Sequence, residues 1–209
     1  MSTRYRIYPT LVNTFALYAT ESVASNGELY VDFQGMIDRI NRVPQERSIA
    51  QARGISFEDA LIKNQNAEEF PAEILNTMRL QLPPRYKTQV YLSCLVKDIE
   101  IYGFVDVLCQ DRAIDIKTTS KYQEGKFELN HQNLYLLGLQ KYKINRLDYL
   151  ITDFTQVYKE SYYLDSYNFE PLFAQLEAFT EFLEQNRKLI TDKKIFKLPA
   201  NAGIQTSLF

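Results

Sequence analysis

Pro83-Pro84 marks the point where the chain changes its period. Proline cannot continue a helix, so whatever helical pattern precedes this pair must stop there. After it come Thr88–Val96, Ile99–Leu108 and Ala113–Thr118, three short runs rich in β-branched and aromatic residues. Only Lys97-Asp98 separates the first two, and Gln110-Asp111 stands ahead of the third. Runs of this kind with such short breaks read as consecutive antiparallel strands. A sheet therefore lies in the middle of the chain, with helical sequence on both sides of it.

The flanking segments carry their own signals. Residues 8–19 have Pro9 near the start and Leu11, Phe15 and Tyr18 at helical spacing. A short strand is expected over Leu29–Phe33 and a helix over Gln34–Ile40. Ser48-Ile49-Ala50-Gln51 has the form of a capping box, opening a helix to about Lys63 through Gly54. A further helix runs from Pro71 to Leu82. Beyond the meander, Leu129–Lys141 reads as a helix, and Leu147–Phe154 and Gln156–Leu164 as strands. Phe169, Leu172, Phe173, Leu176, Phe179 and Leu183 trace one face of an amphipathic helix. The fold class is α/β, or α+β in a broad sense: a central mixed sheet flanked by helices. Residues 1–198 are read as one domain and 199–209 as an unstructured tail.

With 209 residues, 45% of them hydrophobic, the chain can bury a real core. No apolar run approaches the roughly 18 residues of a membrane span, and "MSTRYRIYPTLVNTF" lacks the apolar stretch of a signal peptide. Cys94 and Cys109 both sit in strand-like surroundings, as reduced cytoplasmic thiols do. A net charge of −2 excludes a basic surface throughout, so any nucleic-acid contact is a local groove.

The turn at Gln110-Asp111 has a chemical consequence. If the loop is symmetric, position i pairs with 221 minus i, and Asp106 faces Asp115. Like charges directly opposed on a sheet are unfavourable. A proton, a lysine or a divalent cation relieves them. Lys117 shares the strand face of Asp115, since the period is two. Two acids and a lysine on one patch suit metal-assisted phosphodiester hydrolysis, because carboxylate oxygens are hard ligands for Mg²⁺. A solvated ion pair on a surface strand gives the same Asp-x-Lys pattern, so that pattern alone decides nothing.

The wider spacing is more specific. Gly103-Phe104-Val105-Asp106, then eight residues, then Asp115-Ile116-Lys117-Thr118 resembles the PD-(D/E)XK nuclease superfamily. The likeness is nearest to its RecB-type and lambda-exonuclease-like branches. "ARGISFEDAL" resembles the first motif of that family, giving Gly54 and Glu58. "HQNLYLLGL" resembles the helix after the lysine strand, giving Gln132 and Tyr135. "IYPTLVNTF" is similar to the opening of RecB-like nucleases. The resemblance spans about residues 5–165 and implies a restriction-endonuclease-like sheet. It implies that Glu58, Asp106, Asp115 and the Ile116 carbonyl hold Mg²⁺ or Mn²⁺. Lys117 would handle the nucleophilic water, and Gln132 would support the site. Val105 stands where the family name has its proline. Two cysteines cannot supply an iron–sulfur cluster, so none is expected.

Lys121 and Lys126 follow the lysine strand and could contact phosphates; Tyr135 is a further nucleic-acid candidate. His131, the only histidine, reads as a cap or a packed ring. Gln205, Leu208 and Phe209, in "QTSLF", resemble the pentapeptide that docks bacterial DNA-processing proteins on the sliding clamp. The resemblance implies a cytoplasmic DNA nuclease, an exonuclease of phage or bacterial recombination, acting on single strands or linear duplex ends, and possible homo-oligomers. The alternative is a non-catalytic nucleic-acid-binding or clamp-recruited assembly protein that keeps the fold.

Overall fold

The computed structural model describes residues 3–24 and 26–197. They form β1 (Tyr5–Ile7), α1 (Pro9–Ala19), α2 (Phe33–Ile40), α3 (Ile49–Lys63), α4 (Ala72–Gln81), β2 (Lys87–Val96), β3 (Ile99–Leu108), β4 (Ala113–Thr118), α5 (Tyr135–Leu139), β5 (Arg146–Thr152), β6 (Val157–Tyr163) and α6 (Glu170–Gln185). Five strands follow the order β1-β3-β4-β5-β6, and β2 pairs with β3, giving a six-stranded sheet. The β1–β3 and β4–β5 pairings are parallel, and those of β3–β4 and β5–β6 are antiparallel. The fold is thus mixed α/β, as the sequence leads one to expect. Among the described residues, no helix is long and apolar enough to cross a membrane.

The chain gathers into two compact units. One comprises, of the described residues, those up to Val43, Ser93–Gly103, and those from Phe169 to Lys197. In it β1 runs beside the start of β3, Tyr5 against Ile99 and Ile7 against Ile101. Phe15 of α1 meets Phe179 and Phe182 of α6, with ring centroids 5.0 and 5.5 Å apart. Arg42 donates to Asp192 Oδ2 at 2.5 Å and to the Tyr102 hydroxyl at 2.6 Å.

The other unit comprises Pro44–Leu92 and Phe104–Asn168. Its core joins Phe57, Ala60 and Leu61 of α3 and Ile74, Leu75 and Met78 of α4 to Val107, Ile114, Ile116 and Leu150 of the sheet. These apolar sheet residues alternate with the polar ones of β3 and β4, so the core takes one set and leaves the other for chemistry. The capping box at Ser48 and Gln51 is present, with hydrogen bonds of 3.2 and 3.0 Å.

Three expectations change. No strand forms over Leu29–Phe33: Leu29 makes one isolated bridge to Val23, and α2 already starts at Phe33. Asp32 caps that helix through the Gly35 N–H, and its demand for a helix start overrides the strand propensity of the residues before it. The expected helix over Leu129–Lys141 is α5 between two 3₁₀ turns, His131–Leu134 and Gln140–Tyr142. Cys109 is buried, but Cys94 is only half-buried, and neither is part of a disulfide.

Candidate active site

The site begins where β3 and β4 part. Their ladder has two pairs, Val107 with Ile114 and Leu108 with Ala113, which is the register expected from the Gln110-Asp111 turn. It ends one pair short of the two acids. The Ile116 N–H, which the ladder leaves over, donates instead to Asp106 Oδ2 at 2.8 Å. Asp106 therefore stands between the strands as a substitute for a backbone acceptor, since a buried N–H must find a partner.

On β4, Asp115 is buried, with 1% of its surface exposed. Its Oδ1 accepts from Gln132 Nε2 at 2.8 Å. Its Oδ2 accepts no hydrogen bond and is met by the Lys117 ammonium as an ion pair. Lys117 remains partly open to solvent, and its ammonium lies 6.0 Å from the centroid of the Tyr149 ring. That ring is fully buried, and its hydroxyl donates to Asn133 Oδ1 at 2.7 Å. Burial, with Asp115 adding to it, keeps the Tyr149 hydroxyl protonated well above its ordinary range.

Glu58 reaches the site from α3 because of Gly54, one turn earlier on the same face. A Cβ on Gly54 would lie 3.0 Å from Thr118 Oγ1 on β4, tighter than ordinary contact. The missing side chain lets the helix approach β4. Gln89 of β2 then joins the acids: its Nε2 donates to Glu58 Oε1 at 2.8 Å and to Asp106 Oδ1 at 3.2 Å. Gln89 holds φ at +49°, in the left-handed region that non-glycine residues seldom adopt. Nothing in its residue type announces this role. The signal that could have found it is the Lys97-Asp98 turn, which pairs positions summing to 195 and so sets Gln89 across from Asp106.

The electrostatics are those of crowded acids. Burial pushes Asp106 well above the usual carboxylate range, and repulsion from Asp115 and Glu58 pushes it further. Burial also raises Glu58, against the opposing hydrogen bond from Gln89. Among the described residues, no three His, Cys, Asp or Glu side chains are drawn together as a metal-holding group. Their oxygens are turned to Gln89, Gln132, the Ile116 N–H and Lys117. In kind, however, the donors suit a hard divalent cation: three carboxylates, mutually repelling, with Asp115 Oδ2 lacking a hydrogen bond. Closing a shell requires turning oxygens away from Gln89 and Lys117.

Gln132 is placed by the 3₁₀ turn rather than by a regular helix. Asn130 accepts from the Gln132 N–H at 2.9 Å and so starts that turn. The remaining candidates divide. Lys121 and Lys126 are exposed, and the Lys126 ammonium is held by Thr119 Oγ1 and, at 2.9 Å, by the Lys121 carbonyl. Tyr135 is only 4% exposed, so its ring offers no face to a nucleic acid; the apolar spacing of "NLYLLGL" turns it into the core. Gln205, Leu208 and Phe209 lie outside the described residues.

No protein-family model matches the chain, and no curated protein does. The chain is similar in structure to a protein from Eubacterium rectale described as a "putative exonuclease", with a TM-score of 0.56 and 13% identity. The match covers 90% of this chain and 83% of that one. A second solved structure, SSO0001, matches with a TM-score of 0.42 and 11% identity over 89% of this chain and 79% of its own. The first likeness is one of fold alone.

Proposed function

We propose that the chain is a Mg²⁺- or Mn²⁺-dependent DNA nuclease of the PD-(D/E)XK type, of its RecB-type or lambda-exonuclease-like branch. One observation carries this reading: Gln89 joins Glu58 to Asp106, Asp106 accepts from the Ile116 N–H of β4, and beside Ile116 on that strand Asp115 holds Lys117 and Gln132. A surface salt bridge would need none of the helix, the glycine or the glutamines. The fold shared with the Eubacterium rectale protein supports it at the level of architecture.

In this reading Glu58, Asp106, Asp115 and the Ile116 carbonyl hold the ion, which supplies charge for the scissile phosphate and acidifies a water. Lys117 orients the attacking water and offsets phosphate charge, from a position fixed by Asp115. Gln132 holds one oxygen of the Asp115 carboxylate, while the other, now paired with Lys117, would turn to the ion. Water adds to phosphorus and gives up a proton to solvent, the P–O bond to the leaving strand breaks, and the departing oxygen takes a proton from solvent. The proposed setting is phage or bacterial recombination or DNA processing in the cytoplasm. Recruitment through residues 205–209 is part of the proposal, tested by retention on an immobilised sliding clamp with and without them; equal retention removes it.

The main test is cleavage of linear duplex and single-stranded DNA with Mg²⁺ or Mn²⁺. Asp115→Ala and Lys117→Ala should each lower the rate by about 100-fold or more. Cleavage that survives both changes overturns the reading. Binding without cleavage by the unaltered chain would favour the alternative, a non-catalytic DNA-binding protein on the same fold.

A further inference from the structure

The hairpin of β2 and β3 carries more than Gln89 and Asp106. Val105 and Val107 are fully buried, so strand alternation turns Phe104 to the side of Asp106. Phe104 is 52% exposed, and Tyr91 of β2 is 39% exposed. Their ring centroids are 5.6 Å apart with planes at 69°, edge to face. Phe57 and Tyr149 of the same unit are fully buried and Phe70 stacks on Phe154, whereas Tyr86, Tyr142 and Tyr163 are, like Tyr91, partly open. What sets Tyr91 and Phe104 apart is that the two partly open rings pair with each other one strand repeat from Asp106, about 7 Å along β3.

We infer that Tyr91 and Phe104 form a stacking platform for an unpaired nucleobase of a strand whose phosphate lies at the Asp106–Asp115–Lys117 corner. The inference rests on the nuclease reading above and gives it a substrate class, DNA with a single-stranded or frayed end. A base presents a flat π-face of any sequence, and stacking on exposed rings is how single strands are held without base readout. A base inside a duplex has both faces covered by its neighbours and cannot use the platform. Exposed Lys87 stands about 13 Å along β2 from Tyr91, on the far side of Gln89, as a cation for the strand's backbone. Two side chains are too small a patch for a stable protein partner, which needs about 800 Å² on each side.

The chain has no tryptophan, so Phe104→Trp introduces a single reporter in the platform. Binding is measured by fluorescence anisotropy with labelled oligothymidylate, the same strand carrying abasic sites, and a blunt duplex, all with Ca²⁺ in place of Mg²⁺. Melting temperatures confirm that each variant is folded. Tyr91→Ala and Phe104→Ala should each weaken single-strand binding by roughly 5- to 100-fold. They should leave the abasic strand and the blunt duplex unaffected. Phe104→Trp should keep the affinity, and its emission should be quenched by the normal strand but not by the abasic one. Unchanged affinity in the alanine variants, equal losses on the abasic strand, or no quenching overturns the platform and leaves the nuclease reading standing. A change of oligomeric state in the alanine variants also overturns it, since the rings would then join copies of the chain. If the unaltered chain binds no DNA of any form, both readings fall.

Discussion

Gln89 holds a left-handed backbone that costs about 1 kcal/mol or more in a non-glycine residue, and it does so beside two carboxylates, Glu58 and Asp106. What it gains is the pair of hydrogen bonds by which one amide nitrogen joins Glu58 and Asp106. Without a cation these bonds are what keeps the two acids together. Gln89→Ala retains the backbone strain and removes the bonds, so its effect isolates them. At pH 8 without divalent ions the variant should lose about 1–2 kcal/mol of stability, read by denaturant melts. Saturating Mg²⁺ should recover most of that loss, since a cation takes over the bridging. A loss that Mg²⁺ leaves untouched would mean that Gln89 serves packing alone.

At the scale of elements, the decisive contact is that of α3 with β4. Gly54→Ala places a methyl 3.0 Å from Thr118 Oγ1 while improving helix propensity by about 1 kcal/mol. The two effects oppose each other in stability, so the melting temperature should move little. Activity should nevertheless fall about 10-fold or more, because Glu58 is carried one turn further along the displaced helix. Adding Thr118→Ala should restore part of it; a double variant no better than Gly54→Ala would disprove the steric account. This contact also explains what could be read in advance. Glu58, Asp106, Asp115, Lys117 and Gln132 were legible because spacing on strands and helices is regular and their residue types are chemically conspicuous. Gln89 was not, since its place depends on a turn and on a backbone angle that no side chain signals. Tyr135, a core ring in the structure, stands in the sequence as a nucleic-acid candidate or a core residue alike, because an aromatic beside a motif looks the same whether it faces water or the core. Strand β1, three residues long, is too short to leave a period, and it forms only because β3 offers it an edge.

At the scale of the whole molecule, two buried groups shape stability against pH in opposite senses. Asp106 is raised from 3.8 to about 8, chiefly by burial. Between those values the folded chain holds a proton that the unfolded one releases, so stability falls as pH rises through the window. His131 is fully buried, and burial lowers it from 6.5 to about 4. Between pH 6.5 and 4 the unfolded chain takes up a proton that the folded one refuses, so stability falls as pH drops. The two slopes offset each other from about pH 4 to 6.5, and from 6.5 to 8 the Asp106 slope acts without that of His131. The metal-free protein should therefore melt at progressively lower temperature between pH 6.5 and 8. Asp106→Asn should flatten that decline; an equally steep profile in the variant would place its source elsewhere.

The short β3–β4 ladder has one further consequence. Because the Ile116 N–H is held by a carboxylate and not by a carbonyl, its proton resonance doubles as a built-in indicator of the charge on Asp106. In an ¹⁵N-labelled sample, that single amide signal should move upfield as Asp106 takes up its proton. It should shift again when Mg²⁺ is titrated in, while the amides of Ile114 and Ala113, inside the ladder, stay nearly still. One backbone position thus reports the state of the centre without a substrate or a label on any reacting group.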